Sequence, residues 1–237
     1  MSNFLAVATV TAALRRTLQK ALDDAANNEE GAVGGTSVKS VRPDGPSSGV
    51  PTKGVNVFLY NVMPSTAWRN ADLPIRNSNG TVVQRPRVAL DLQYLLSFYG
   101  DEDDLEPQRI YGVVARTLHS QPVITAQVID ETISNPPFDD FLASSNLAEE
   151  TERVKFTPTP LSLEELSKVW SVLFQTRYTL STAYQGTVVF IEGEDRPRQA
   201  LPVEMRKIFV VPISILPQAV WLFVQKRNLE QIAELET

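Results

Sequence analysis

Between Val88 and Phe98 the chain reads VALDLQYLLSF, with Val88, Leu90, Leu92, Tyr94, Leu96 and Phe98 on one face of a period of two. Asp91, Gln93 and Ser97 fall on the other face. A helix turns 100° per residue and cannot keep that alternation in register, so the segment predicts a long strand with one apolar face. Whatever else the chain does, it has to build a sheet around this strand and cover its apolar side.

Partner strands follow from the same reading. GVNVFLYNV sets Val55, Val57 and Leu59 against Asn56, Phe58 and Tyr60, which predicts a strand buried on both faces. Asn77-Ser78-Asn79-Gly80 has hairpin-turn composition and leads through TVVQRPR into the long strand. ERVKFTPTPL reads as an edge strand, because its prolines cannot donate to a ladder. RYTLSTAYQGTVVFI, from Arg177 to Ile191, alternates again and carries Gly186 as a bulge or bend. KIFVVPISI predicts one more strand, and AVWLFVQKRNLEQIAELET an extended apolar piece with a charged, helix-capable tail.

Helical spacing appears four times. In the first segment Phe4, Val7, Thr11, Leu14, Leu18, Leu22 and Ala25 share a face, with Ser2 or Asn3 as the cap. Arg15, Arg16 and Lys20 follow the apolar start rather than precede it, and the stretch is short and rich in threonine, so it reads as neither a signal peptide nor a membrane span. LEPQRIYGVVARTLHSQP aligns Ile110, Val113, Val114, Thr117 and Leu118, with Pro107 in the first turn. PVITAQVIDETI predicts a shorter helix from Pro122, and LSLEELSKVW starts on Ser162 and Glu165 at capping-box spacing. Asn27 to Lys53 is rich in Gly, Ser, Pro and Asn and predicts a long mobile loop. Strands and helices interleave without a βαβ rhythm, so the expected fold class is α+β: a single domain over 1–217 with a mixed or antiparallel sheet flanked by helices, a loop at 27–53 and a C-terminal arm at 218–237.

Composition removes several functions. The 22 basic and 28 acidic residues give a net charge of −6, which disfavours binding to nucleic acid through phosphate neutralisation. No cysteine is present, so disulfides, thiolate catalysis and Cys-ligated zinc are excluded, and synthesis in a reducing cytoplasm fits. His119 is the sole histidine, placed near a helix C-terminus, where it reads as a cap. The acids Asp101 to Asp104 lack the alternate spacing, central glycine and closing glutamate of a calcium loop. They sit instead before a helix start, where carboxylates are stabilised by free N–H groups. Gly31, Gly34 and Gly35 have neither the lysine nor the preceding strand of a phosphate loop. The residues therefore predict no catalytic, cofactor or metal site. The rival of a different class is a small-ligand-binding or hydrolytic domain using Asp101 to Asp104 with His119.

Three blocks in order carry a resemblance. Leu92, Tyr94, Leu95, Phe98, Tyr99 and Gly100 lead to Pro107, Gln108, Arg109 and Gly112 and then Leu118, His119 and Pro122. Glu164, Glu165, Leu166 and Trp170 lead to Tyr178, Leu180, Ser181 and Tyr184, and RQALPVEMRKIFVVPI follows. In these blocks the chain resembles the cap or tube-terminator family of extracellular contractile injection systems, which are phage-tail-like particles. The resemblance spans the first helix to about Pro212; the Gly/Ser-rich insertion near Gly31 to Thr52 and the short C-terminal tail depart from it.

The resemblance implies a phage tail-terminator-like fold and a structural role: a ring, hexameric by expectation, at the baseplate-distal end of the particle. Such a ring would end inner-tube growth and join the last sheath ring. Its partners would be copies of itself, the inner-tube protein and the sheath protein, with no nucleic acid, no membrane span and no cofactor. The chain would be made and assembled in the cytoplasm, in a particle that can be released. The alternative within this class is another ring of the same particle, such as a baseplate or tube-completion component. Candidate interface residues are Arg109 with Asp101 and Asp103 at the acidic corner, and Ile213, Ile215, Trp221 and Phe223 in the C-terminal arm.

Overall fold

The computed structural model describes residues 2–43, 49–68, 70, 73, 75–77, 82–84, 86–173 and 176–193, all within one compact unit, Met1–Gln199. The elements run α1 (Ala6–Asn28), β1 (Ser37–Lys39), β2 (Gly54–Pro64), β3 (Ile75–Arg76), β4 (Val82–Gln84), β5 (Arg87–Tyr99) and α2 (Glu106–Ser120). They continue with α3 (Ala126–Ile133), α4 (Asp139–Leu142), a 3-10 turn (Leu147–Glu149), β6 (Lys155–Thr159), α5 (Leu163–Val172) and β7 (Ser181–Glu192). Five strands form one sheet in the order β1-β2-β5-β7-β6, and β3 and β4 form a separate pair. The sheet is mixed: β1 runs parallel to β2, whereas the other neighbours are antiparallel. The fold is α+β, as the alternation of strand and helix patterns predicts.

The long alternating strand, β5, lies at the centre. Leu92, Tyr94, Leu96 and Phe98 are fully buried and meet Val55 and Val57 of β2, Leu14 and Leu18 of α1, and Ile110 and Val114 of α2 in one core. Tyr94 keeps its hydroxyl satisfied on Thr11 Oγ1 at 2.8 Å, and burial pushes its pKa up. The opposite face of β5 is also closed, since Asp91, Gln93, Leu95 and Ser97 are buried, with Leu95 packed against Trp170 and Leu173 at the end of α5. Trp170 donates its indole N–H to Ser181 Oγ at 3.1 Å, fixing α5 to the start of β7.

Several expectations change on contact with the structure. Phe4 leaves the buried face of α1 and is 78% exposed, because the helix starts only at Ala6. The helix N-cap is Leu5, without a side-chain cap bond. Asn3 Oδ1 does accept from the Leu5 amide at 3.1 Å, but Ser2 is drawn the other way, its hydroxyl donating to the Phe190 carbonyl. β2 is buried over Gly54–Val57 and then rises into solvent from Asn61. The 27–53 segment is not all loop: α1 reaches Asn28, and β1 adds a parallel strand whose Val38 is buried. The helix expected from Pro122 begins at Ala126, capped by Thr125, because residues 122–124 pair with the β6 region instead. β6 is an edge strand, and α5 has the complete capping box between Ser162 and Glu165. Opposite the step from Leu90 to Leu92, β7 runs from Val189 to Gly186, so the extra residue of a bulge sits beside Gly186. A Cβ on Gly186 would stand 3.1 Å from the ring of Phe156 across the strand pair.

Candidate functional site

The corner after β5 is built by one carboxylate. Glu106 turns back so that Oε2 accepts from the Asp101 amide at 2.8 Å, while Oε1 takes the Lys53 ammonium. These partners, the Asp101 N–H first and Lys53 second, hold the Glu106 carboxyl below its ordinary pKa. Asp101 Oδ1 accepts from the Asp103 amide at 2.9 Å, a local turn bond that settles the acidic run as a tight corner. Leu105 closes it with φ of 54°, the left-handed region, and α2 starts at the next residue. Asp101, Glu102, Asp103 and Asp104 all face solvent.

Arg109, on the first turns of α2, points away from these carboxylates' oxygens and onto backbone. Its Nε donates to the Gly31 carbonyl at 2.7 Å, and its Nη atoms reach the carbonyls of Asp104 at 3.3 Å and Ala32 at 3.4 Å. The fork thus ties the segment between α1 and β1 to the start of α2. A neighbouring pair does the same further along, where Arg116 and Glu29 form two bonds of 2.8 and 2.6 Å between α2 and the end of α1.

The hydrolytic rival needs Asp101 to Asp104 and His119 in one place. They stand at opposite ends of α2, fourteen residues of helix from Leu105 to His119, or about 20 Å at 1.5 Å per residue. His119 is exposed in the last turn. Among the described residues no group of three or more His, Asp or Glu is placed to hold a metal ion. A groove of about 510 Å³ between α1, α2 and α3 carries Arg16, Lys20 and Arg116 facing Asp24, Glu29 and Glu131, mixed charge without a convergent set of groups.

What the described unit offers instead is surface that the sequence did not single out. Past the cover of the helices, Val62 and Met63 of β2, Val88 of β5, and Trp68, Leu73 and Ile75 near the β3–β4 pair are exposed apolar residues. Val88 is 53% exposed although it lies in register with Leu90 on the core side of its strand. Around α5 a second apolar surface carries Leu163 at 83% and Tyr178 at 61% exposure, with Val172 nearby. The signal in the sequence was length: β2, β5 and β7 each run past the ten-residue span of α5. Ile213, Ile215, Trp221 and Phe223, and with them the predicted KIFVVPISI strand, the C-terminal arm and the centre of the Asn77–Gly80 turn, lie outside the described residues.

The described residues thus form an α+β unit of helices packed on one sheet, with exposed apolar residues at its strand ends. Residues 9–205 match the Pvc16 N-terminal domain, and the chain belongs to that family. Among solved structures it is similar to the PVC sheath/tube terminator of an extracellular contractile injection system in its extended state, at 19% identity and a TM-score of 0.46, covering 93% of this chain and 71% of that one. It is also similar to the tube-terminating cap of the anti-feeding prophage, at 17% identity and a TM-score of 0.49, covering 92% and 68%. Comparison with curated proteins gives no significant match. No helix among the described residues is long and apolar enough to cross a membrane.

Proposed function

We propose that this chain is a structural cap of a contractile injection particle: a ring, six-membered, on the baseplate-distal end, which ends inner-tube growth and joins the tube to the last sheath ring. The observation that carries the reading is the family match over residues 9–205, which takes in the first two motif blocks by which the sequence resembles tube terminators and the start of the third. The role is mechanical and non-enzymatic. A closed ring with one face shaped for the tube end and another that templates no further subunit stops a filament by geometry alone. The exposed apolar strand ends and the α5 surface are the areas available for neighbours, since patches of this kind mark protein contacts. The acidic corner with Asp101 and Asp103 belongs to the solvent-facing rim, and Arg109 serves it indirectly by fixing the segment at Gly31 and Ala32.

The sheath joint, in this reading, is made by the C-terminal arm, with Ile213, Ile215, Trp221 and Phe223 alternating as an added strand would need. The particle is assembled in the cytoplasm and works outside the cell that made it. Two measurements test this. Size-exclusion chromatography with light scattering, followed by electron microscopy, should give rings or capped tube ends on mixing with tube and sheath subunits. Monomers under all conditions with no binding to either subunit would sink the cap reading. Trimming the chain after Pro217 should abolish sheath attachment while leaving ring formation; sheath attachment that survives the trim rejects the arm.

A further inference from the structure

Asp91, on β5, is a carboxylate buried without a partner. It is 8% exposed, and its Oδ1 is enclosed and accepts no hydrogen bond. Among the described residues no ion pair or hydrogen bond reaches either oxygen. The groups that share its face of the sheet are committed elsewhere. Gln93, next along that face, presents its Oε1 to the Tyr60 hydroxyl at 3.5 Å. Arg87, four residues along and so about 14 Å away, lies 4.2 Å from the Phe190 ring centre and bonds Glu150 at 3.3 Å. Ser65 of the neighbouring chain segment, whose amide donates to the Ala89 carbonyl, is buried with its own hydroxyl unbonded, so it does not serve Asp91 either. A carboxylate taken out of water with neither cation nor donor is costly.

What fits there is narrowed by the rim. Met63, exposed, stands directly opposite Asp91 on β2. In the next row Phe190 pairs with Ala89, and the exposed Trp68 meets the Phe190 ring edge-on at 5.2 Å. An enclosed acid with an apolar rim suits a side chain that has an aliphatic stem and a cationic head, a lysine or an arginine. A metal ion would call for further acids, and among the described residues no such group is assembled. The rim is also at the border of the sheet: β1 pairs only with Gly54–Asn56, so in the row of Asp91 and Met63 the outer strand is β2.

We propose that Asp91, beside Met63 and Trp68, is a socket for a lysine or arginine of a second copy of this chain, and that this contact joins neighbouring subunits of the ring. The second copy is the source because the chain carries the matching half. Lys155 on β6 and Arg177 ahead of β7 are exposed, with no acidic partner among the described residues, and both belong to the flank of the sheet away from β2. In a closed ring each subunit meets its neighbours through two different surfaces, so an unmet acid toward one flank and unmet bases toward the other is the pattern such a contact leaves on the free subunit. The proposal rests on the ring of the cap reading.

Asp91→Asn in the full-length chain keeps the shape of the side chain and removes its charge. Held monomeric by dilution, the variant should melt at or above the wild type, because an unpaired buried charge is gone. Its self-association, followed by light scattering with and without tube subunits, should weaken at least about tenfold. A subunit that gains or keeps stability while losing assembly is a combination that a purely internal role for Asp91 does not give. A variant that melts below the wild type shows that the carboxylate is answered inside its own chain, and overturns the proposal. Self-association as tight as that of the wild type overturns it as well, and if binding to tube or sheath is lost at the same time the socket belongs to that subunit instead of a second copy. Rings formed by the variant as readily as by the wild type sink the proposal alone, whereas a wild type that never associates, with or without tube subunits, sinks the ring reading and the proposal with it.

Discussion

Gly54 is the residue on which the β1 edge hangs, and Gly54→Ala is the sharpest stability test. It opens β2 with φ of 134°, a region that side-chain-bearing residues rarely enter, and it lies in register with Ser37 of β1. A Cβ there would stand 2.1 Å from the Ser37 carbonyl oxygen, 2.7 Å from its nitrogen and 2.9 Å from its carbonyl carbon. All three are backbone atoms, so no rotamer change relieves the clash and β1 itself has to move. Backbone strain of this kind costs about 1–3 kcal/mol. Displacing β1 also breaks the Ser37–Lys53 bond of 3.0 Å and the Gln19 and Arg15 bonds to Val38, each worth about 1 kcal/mol net. The sum is about 4–6 kcal/mol, and with about 2–4 °C per kcal/mol for a chain of this size the midpoint should fall by about 10 °C or more. Urea unfolding of Gly54→Ala beside Gly112→Ala is the assay. A Cβ on Gly112, on α2, meets nothing within 4 Å, so that variant should gain about 0.5–1 kcal/mol from helix propensity. A loss below about 1 kcal/mol in Gly54→Ala would refute the argument that β1 is held rigidly against β2.

Arg109→Ala removes the fork on Gly31, Ala32 and Asp104; because the site is exposed, global stability should drop by no more than about 1 kcal/mol, while amides 29–36 exchange faster in hydrogen-exchange mass spectrometry. Arg109→Lys should not restore them, since an ammonium cannot span the separated carbonyls as a planar guanidinium does. Glu106 is bound as a carboxylate, so its folded pKa lies below the unfolded one; its contribution is complete above the unfolded value of about 4.3 and is lost as pH falls through the folded value. Glu106→Gln should therefore flatten part of the acid limb of a stability–pH curve, with Glu29 and Glu165, which shift in the same direction, supplying the remainder. Ser162→Ala breaks the capping box of α5 and should cost about 1 kcal/mol, read as loss of helical signal and faster exchange across 163–172.

Strong local rules made part of this fold legible in the sequence. The period of β5, the proline-marked edge at β6, the capping box of α5 and the bulge beside Gly186 each follow from chemistry within a few residues. What escaped depends on neighbours distant in sequence. β1 is three residues long and too short to show alternation; it exists because Gln19, Arg15 and the backbone of β2 satisfy it on both sides. Residues 122–124 read as helical, yet they pair with the β6 region, a contact made by tertiary packing. The polar face of β5 gives no sign in sequence that Ser97 and Gln93 are buried. As for the site, the acidic corner was readable as a helix start, whereas the exposed strand ends at Val62 and Val88 were not, because apolar residues in a strand look alike whether the core reaches them or not.

The cap reading is tested most directly by the length and end structure of particles made with and without this chain. In electron micrographs of particles carrying it, tubes should share one length and end, away from the baseplate, in a ring that meets the last sheath ring. In its absence tubes should be overlong or uneven and shed their sheath. Particles of uniform length with firmly attached sheath in the absence of the chain, or a ring located at the baseplate, would contradict the account.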